Sequence, residues 1–210
     1  MASLHAVLTG DLIHSQRSSA AQVDDTMALI EAAARRIVPA ARFHRYRGDG
    51  WQVHLGPARD GLRTMVHIAA QLGRDEGLAS RIALGLGDAF GLDRQSLASA
   101  GGGAFVASGR ALDAMTAGHR LALAGAGVDP LHQALVAYID AQAQGWSPAQ
   151  AEAVALALAA DPGTPHLALA AELAISRQAF AARLSVAGYE LVIEALAAFS
   201  LRFADGATDG

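Results

Sequence analysis

The chain has 210 residues, 52% of them apolar, and a formal net charge of −4. These values exclude a disordered, charge-driven tail and leave room for one sizeable domain or two small ones. It has no cysteine, and all 16 basic residues are arginine. Disulfides, thiol nucleophiles and Cys-based zinc sites are therefore excluded, as are a Walker P-loop and a Schiff-base enzyme, each of which needs a lysine.

The opening "MASLHAVLTGD" has neither a basic leader nor a long apolar run, so no signal peptide is expected. The most apolar late stretch, "ELVIEALAAFSL", carries Glu190 and Glu194 and is shorter than the roughly 20 apolar residues a bilayer requires. A soluble, cytoplasmic protein with no membrane partner is the expectation.

"LHAVLTGD" reads as a first strand ending in Gly10-Asp11. Ser19 with Gln22 forms a capping-box signature, and Val23, Met27, Ile30, Ala34 and Ile37 recur at helical spacing up to Pro39. "ARFHRYR" and "WQVHL" read as a hairpin, with Trp51, Val53 and Leu55 on one face. Gly56-Pro57 is expected to open a second helix, with proline at its first position, a stripe of Leu62, Met65, Ile68, Ala69 and Leu72, and Gly73 as its end. "SRIALGLGD" reads as a fourth strand. After a loop containing "GLDRQS", "GGGAFVASGRALDAM" reads as a glycine-rich turn into a third helix, and "HRLALAG" as a last strand.

The order β-α-β-β-α-β-α-β predicts an α+β domain of ferredoxin-like, βαββαβ type with appended elements. Helices cover one face of such a sheet, leaving the other for a ligand or a second subunit. Residues 1–128 hold 13 Arg against 11 acidic residues, and residues 129–210 hold 3 Arg against 9. That shift, at the loop "GAGVDP", sets a boundary between a domain at 1–128 and an all-α domain at 129–210. The second begins with Ser147, Pro148 and Gln150 as a strong helix start. Helices follow from Thr164-Pro165, through "RQAFAARLSVAG", and over "YELVIEALAAFSLRF". The middle pair, residues 164–188, has a helix-turn-helix pattern: Ala170, Leu173 and Ile175 pack against Phe180 and Leu184, with Ala174 where the turn usually has glycine. Any αα-hairpin shares most of these features.

Asp11 ends the first strand and Asp49 tips the hairpin "RGDGWQ". In a ferredoxin-like sheet the first and third strands are adjacent, so both carboxylates reach the same end of the open face. There they repel unless a cation joins them, and Mg²⁺ or Mn²⁺ with oxygen ligands suits the pair. Gly10, Gly48 and Gly50 let a ligand approach the backbone, while Asp-Gly is also simply a favoured turn pair. His14 and Ser15 are candidate phosphate contacts or ordinary loop residues. Arg42, Arg45 and Arg47, with His44, form a basic strip that suits phosphates or guards an exposed edge. Arg177, Gln178 and Arg183 lie on the second helix of the 164–188 pair, and Arg and Gln are side chains that read base edges. The net −6 of this half opposes DNA affinity, which comes largely from neutralising phosphates.

"AVLTGDLIHS", "RGDGWQ", "RIALGLGD" and "GGGAFVASGRALDAM" fall in the order and approximate spacing of the class III nucleotide cyclase and GGDEF-type domain. More closely, nearly the whole chain resembles the SatD family, which joins such a domain to a C-terminal helix-turn-helix. The resemblance implies metal-binding positions at Asp11 and Asp49, with the Leu12 carbonyl also facing metal, and an ATP- or GTP-like nucleotide. It also implies a homodimer and a transition-state arginine at Arg110. The asparagine that works four residues before that arginine falls at Val106, which donates no hydrogen bond. Base-selecting positions have no clear match, Asp88 and Asp93 being the nearest candidates. Three readings follow. One is a regulatory protein that binds nucleotide or metal in one half and DNA or a partner in the other. The second is a metal-dependent nucleotidyl cyclase or nucleotidyltransferase releasing pyrophosphate. The third is an interaction module without catalysis.

Overall fold

A computed structural model describes residues 4–46, 48–74, 77–93 and 96–204. Arg47 of the basic strip and residues 94–95 of the "GLDRQS" loop lie outside the described residues. The elements run β1 (His5–Leu12), α1 (Ala20–Ile37), β2 (Arg42–Tyr46), β3 (Gly50–Pro57), α2 (Gly61–Leu72), β4 (Ser80–Gly87), α3 (Gly103–Asp113) and β5 (Leu121–Gly125). Five helices follow: α4 (Pro130–Gln144), α5 (Pro148–Ala159), α6 (His166–Glu172), α7 (Arg177–Val186) and α8 (Tyr189–Arg202). The fold is mixed α and β, around one five-stranded mixed sheet ordered β2-β3-β1-β4-β5. β1 pairs antiparallel with β3 and β4, β2 pairs antiparallel with β3, and only β4 and β5 are parallel.

The alternation in the strands places Leu8, Trp51, Val53, Leu55, Ile82, Leu84 and Leu86 on one face. There they meet Met27 and Ile30 of α1 and Leu62, Met65 and Ile68 of α2, all buried. The expected capping boxes are present at Ser19/Gln22 and Ser147/Gln150. Pro57, however, ends β3, and α2 starts at Gly61 after a short 3₁₀ turn. The β1–β3 ladder runs to His5↔Pro57, and that pairing holds the chain extended through the proline. Helix α2 is buried well beyond its expected stripe because α5 packs on its far side.

The opposite face is not open over its centre. α3 lies across β1, β4 and β5, and the glycines of "ALGLG" let it in. A Cβ on Gly85 would sit 2.2 Å from the Ala104 carbonyl oxygen, and one on Gly87 2.6 Å from the Ala104 nitrogen. Thr9 and Ser108 join β1 to α3 by a 2.7 Å hydroxyl–hydroxyl bond. The glycines that read as sheet residues are thus contact points for a helix, and Val7, Leu97, Ala104 and Phe105 form a second small core there.

The helical half packs directly on the sheet half. One apolar cluster runs from Ala6 to Phe203 and includes Val136, Ile139, Val154, Leu158, Phe180 and Phe199. Helix α4, over residues for which the sequence suggested no element beyond the loop "GAGVDP", is capped by Asp129 with Pro130 in its first turn and packs on β5. Among the described residues no single helix is long and apolar enough to cross a membrane.

His67 is wholly buried between α1 and α2, its Nδ1 3.1 Å from the Ala33 carbonyl oxygen. Burial pushes its pKa from 6.5 down to about 4. The unfolded chain takes up this proton near pH 6.5 and the folded chain only near pH 4. Stability from this group is therefore complete above about pH 6.5 and lost as pH falls to about 4, a loss of about 3 kcal/mol. His54 shifts in the same direction. Denaturant unfolding from pH 7 to 4 should show the combined slope, and His67→Gln should remove about half of it. Gly85→Ala should cost about 3 kcal/mol by forcing α3 off the sheet, measured by urea unfolding.

Candidate functional site

The candidate residues gather where β1 ends beside the β2–β3 hairpin. Register pairs Asp11 with Gly50 on one side and with Arg81 on the other. The hairpin is pinned to β1 by the Leu12 N–H, which donates to the Asp49 carbonyl at 3.2 Å. Gly48 turns the hairpin at φ +81°, and Arg45 ties it down, donating to the Gly48 carbonyl and pairing with Asp24, each at 2.6 Å. Beyond β1 the chain turns through His14, in a left-handed conformation at φ 61°. This turn delivers the Ser15 hydroxyl to the Asp49 carboxylate at 2.6 Å.

Asp11 faces Arg81 rather than Asp49. The Arg81 Nε donates to one Asp11 carboxylate oxygen at 2.9 Å, and its NH2 group to the other. Hydrogen bonding to Asp11 raises the Arg81 pKa further above its ordinary value. The backbone behind Asp11 is braced by a chain of bonds: Trp51 Nε1 donates to the Ser80 hydroxyl, which donates to the Asp11 carbonyl. Gly10 belongs to this brace. A Cβ there would lie 2.4 Å from the Trp51 ring, so its bareness serves the indole on the sheet's other side. Gly50 similarly lies against Tyr46, whose ring a Cβ would approach to 2.9 Å.

Asp11, His14 and Arg81 line one wall of a cleft of about 580 Å³, and Thr116, His119 and Arg120 line the other. The second wall is the loop between α3 and β5, and Asp140 of α4 holds it. This carboxylate, 1% exposed, accepts from the Arg120 N–H at 3.0 Å and from Gln144 at 3.0 Å, and lies 3.1 Å from His119 Nδ1. Gln144 also borders the cleft, so both halves of the chain contribute to it. Arg120 makes no ion pair among the described residues; its recorded bond is through its backbone.

The metal set implied by the resemblance is Asp11, Asp49 and the Leu12 carbonyl. The structure brings these residues to one end of the sheet, but Arg81 holds both Asp11 oxygens and Ser15 holds Asp49. Among the described residues no three His, Asp or Glu side chains gather as a metal site. In this arrangement the residues do not fit a divalent ion. Arg110, exposed near the end of α3, lines a separate cleft of about 420 Å³ between α3, β5 and α4. Val106, one turn earlier, is half exposed. Asp88 accepts from the Gly103 N–H at 2.8 Å at the start of α3, a task in holding that helix. Asp93 has no recorded contact with the cleft. On β2, Arg42 donates to the Leu92 carbonyl, so that end of the basic strip is bound to the loop before α3, and His44 is half-buried beside Gln52.

In the helical half, α6 and α7 are joined by a turn in which Ala174 adopts φ 52°. Ser176 caps α7. Arg177 and Gln178 are exposed, whereas Arg183 turns inward to Glu152 of α5 at 3.2 Å.

Sequence reasoning missed Arg81, Arg120, His119 and Asp140. For Arg81 a signal existed: in "SRIALGLG" it alternates against Ile82 and so shares a face with Asp11 once β1 and β4 are neighbours. Two further histidines went unnoticed. His5 and His54 are bonded ring to ring at 2.9 Å, and His54 stacks on Phe105. Burial, then the nearby His5 and Arg42 charges, lower the His54 pKa to about 4. It is a neutral packing residue at pH 7.

Asp140→Ala should strand the Arg120 N–H and release the loop at residues 116–120. A loss of about 2 kcal/mol in urea unfolding, with faster amide exchange confined to that loop, is the expected outcome. No protein-family model matches the chain, and no curated protein matches its sequence.

Proposed function

We propose that this chain is a regulatory protein of the SatD type. Its cyclase-like sheet domain binds a phosphate-bearing nucleotide in the Asp11–Arg120 cleft, and its helix-turn-helix, α6 and α7, binds DNA or a protein partner. The observation that carries the reading is the cleft itself: it combines Asp11 with Arg81, Arg120 and two histidines, and its wall is tied to α4 through buried Asp140. A ligand there touches both halves at once. The order β2-β3-β1-β4 supports the ferredoxin-like reading of the sheet. The short α6, the tight turn at Ala174 and the exposed Arg177 and Gln178 support the helix-turn-helix reading.

Binding is favoured over turnover. An active cyclase needs a hydrogen-bond donor at the position of Val106 and an arginine reaching the reacting phosphate, and Arg110 lines a different cleft. A divalent ion reaches Asp11 only by displacing Arg81. Homodimerisation remains part of the proposal as an implication of the cyclase-like resemblance.

Two measurements test this. ATP or GTP at about 100 times Kd should stabilise the protein by about 2.7 kcal/mol, a melting-temperature rise of roughly 5–10 °C for a chain of this size. Arg120→Gln should remove about half of it. Cyclic product or pyrophosphate from either nucleotide with Mg²⁺ or Mn²⁺ would replace this reading with the enzymatic one. Second, DNA retention at low salt should fall in the Arg177→Ala, Gln178→Ala double variant without loss of stability, whereas Arg183→Ala should chiefly lower stability. No retention by the wild type would leave a protein partner as the target of this half.

A further inference from the structure

We infer that the cleft binds its anionic ligand without a divalent metal, because Arg81 stands where the cation would. This rests on the phosphate-binding reading above and deepens it. The ligand class is a metal-free phosphate, carried by a nucleotide or presented as the inorganic ion.

The argument starts from register. Asp11 on β1 lies opposite Arg81 on β4, and both point to the same face. The guanidinium meets the carboxylate edge to edge through Nε and NH2, satisfying both acid oxygens. A planar fork on a carboxylate is a strong and geometrically specific ion pair. It neutralises Asp11 in place, and the bonds from Trp51 through Ser80 hold the backbone at Asp11 in that position. Asp49 is engaged separately by the Ser15 hydroxyl. Neither carboxylate therefore needs an ion to relieve repulsion between them.

The donors in the cleft then decide what it attracts. Asp11 and Arg81 cancel, and buried Asp140 behind the wall offsets Arg120, so no excess negative charge of the cleft lining calls for a cation. Arg120 makes no ion pair among the described residues, and His14 and His119 add two imidazoles on either side. A hard divalent cation would have to evict Arg81, whereas a phosphate finds donors on Arg81, Arg120 and the histidines. The volume of about 580 Å³ admits a ligand of nucleotide size.

The two models make opposite predictions for one variant. Asp11→Asn removes a negative charge beside the bound phosphate. Isothermal titration of ATP, GTP and inorganic phosphate, in EDTA and in Mg²⁺ or Mn²⁺, should give wild-type binding of the preferred anion that EDTA leaves within twofold. Asp11→Asn should tighten it about tenfold, and Arg120→Gln should weaken it about tenfold. Inorganic phosphate binding as well as the nucleotide would identify the free ion as the ligand; a preference for ATP or GTP would identify a nucleotide. Binding that disappears in EDTA, or that Asp11→Asn abolishes, overturns the inference while leaving the functional reading intact. No binding of any of the three, with or without metal, overturns the functional reading itself. A cation arm is independent of nucleotide: Mn²⁺ alone should leave the wild-type melting temperature unchanged and raise that of Arg81→Gln, whose Asp11 is released. A wild-type rise equal to that of Arg81→Gln would show that Arg81 blocks nothing.

Discussion

β1 runs antiparallel to both of its neighbours, so the residues that face each other across it are set by register. Thr9 and Val7 are buried on the α3 side, and Leu8 and Leu12 on the α1–α2 side. A slip of one residue would exchange these faces and bury Asp11 in the main core. The burial of both faces therefore locks the register, and the locked register puts Arg81 opposite Asp11 and the hairpin tip beside Leu12. The electrostatics of the cleft follow from that constraint.

The second consequence is mechanical. The loop that carries His119 and Arg120 leads into β5, a short edge strand of five residues. Asp140 ties that loop to the helical half, and its carboxylate is fully engaged in doing so. The core shared by both halves makes the connection continuous, from the sheet through α2, α4 and α5 to α7 and α8. The cleft and the helices that carry Arg177 and Gln178 therefore rest on one continuous core.

Much of the fold was legible because local rules agreed with one another. The capping boxes at Ser19 and Ser147, the alternation of Trp51, Val53 and Leu55, and the adjacency of β1 and β3 are all found. Asp11 and Asp49 were correctly brought to one end of the sheet. What stayed hidden depends on contacts distant in sequence. The role of Gly85 lies in a helix that packs on it, and that of Gly10 in an indole 41 positions away. Pro57 reads as a helix start until the β1 partner that holds it extended is known. Helix α4 lacked the expected Glu or Gln at its box position, where His132 stands. The partner of Asp11 was invisible for the same reason: Arg81 lies 70 residues away, and its meaning appears only when two strands are aligned.

The central claim is that Arg81 and Asp11 form a fixed pair around which an anion binds. A crystal structure with nucleotide and Mn²⁺, with anomalous data at the manganese edge, tests it most directly. The account predicts phosphate density between Arg81 and Arg120, an intact Asp11–Arg81 pair and no manganese peak on Asp11. A manganese peak bridging Asp11 and Asp49, with Arg81 turned away, would contradict it.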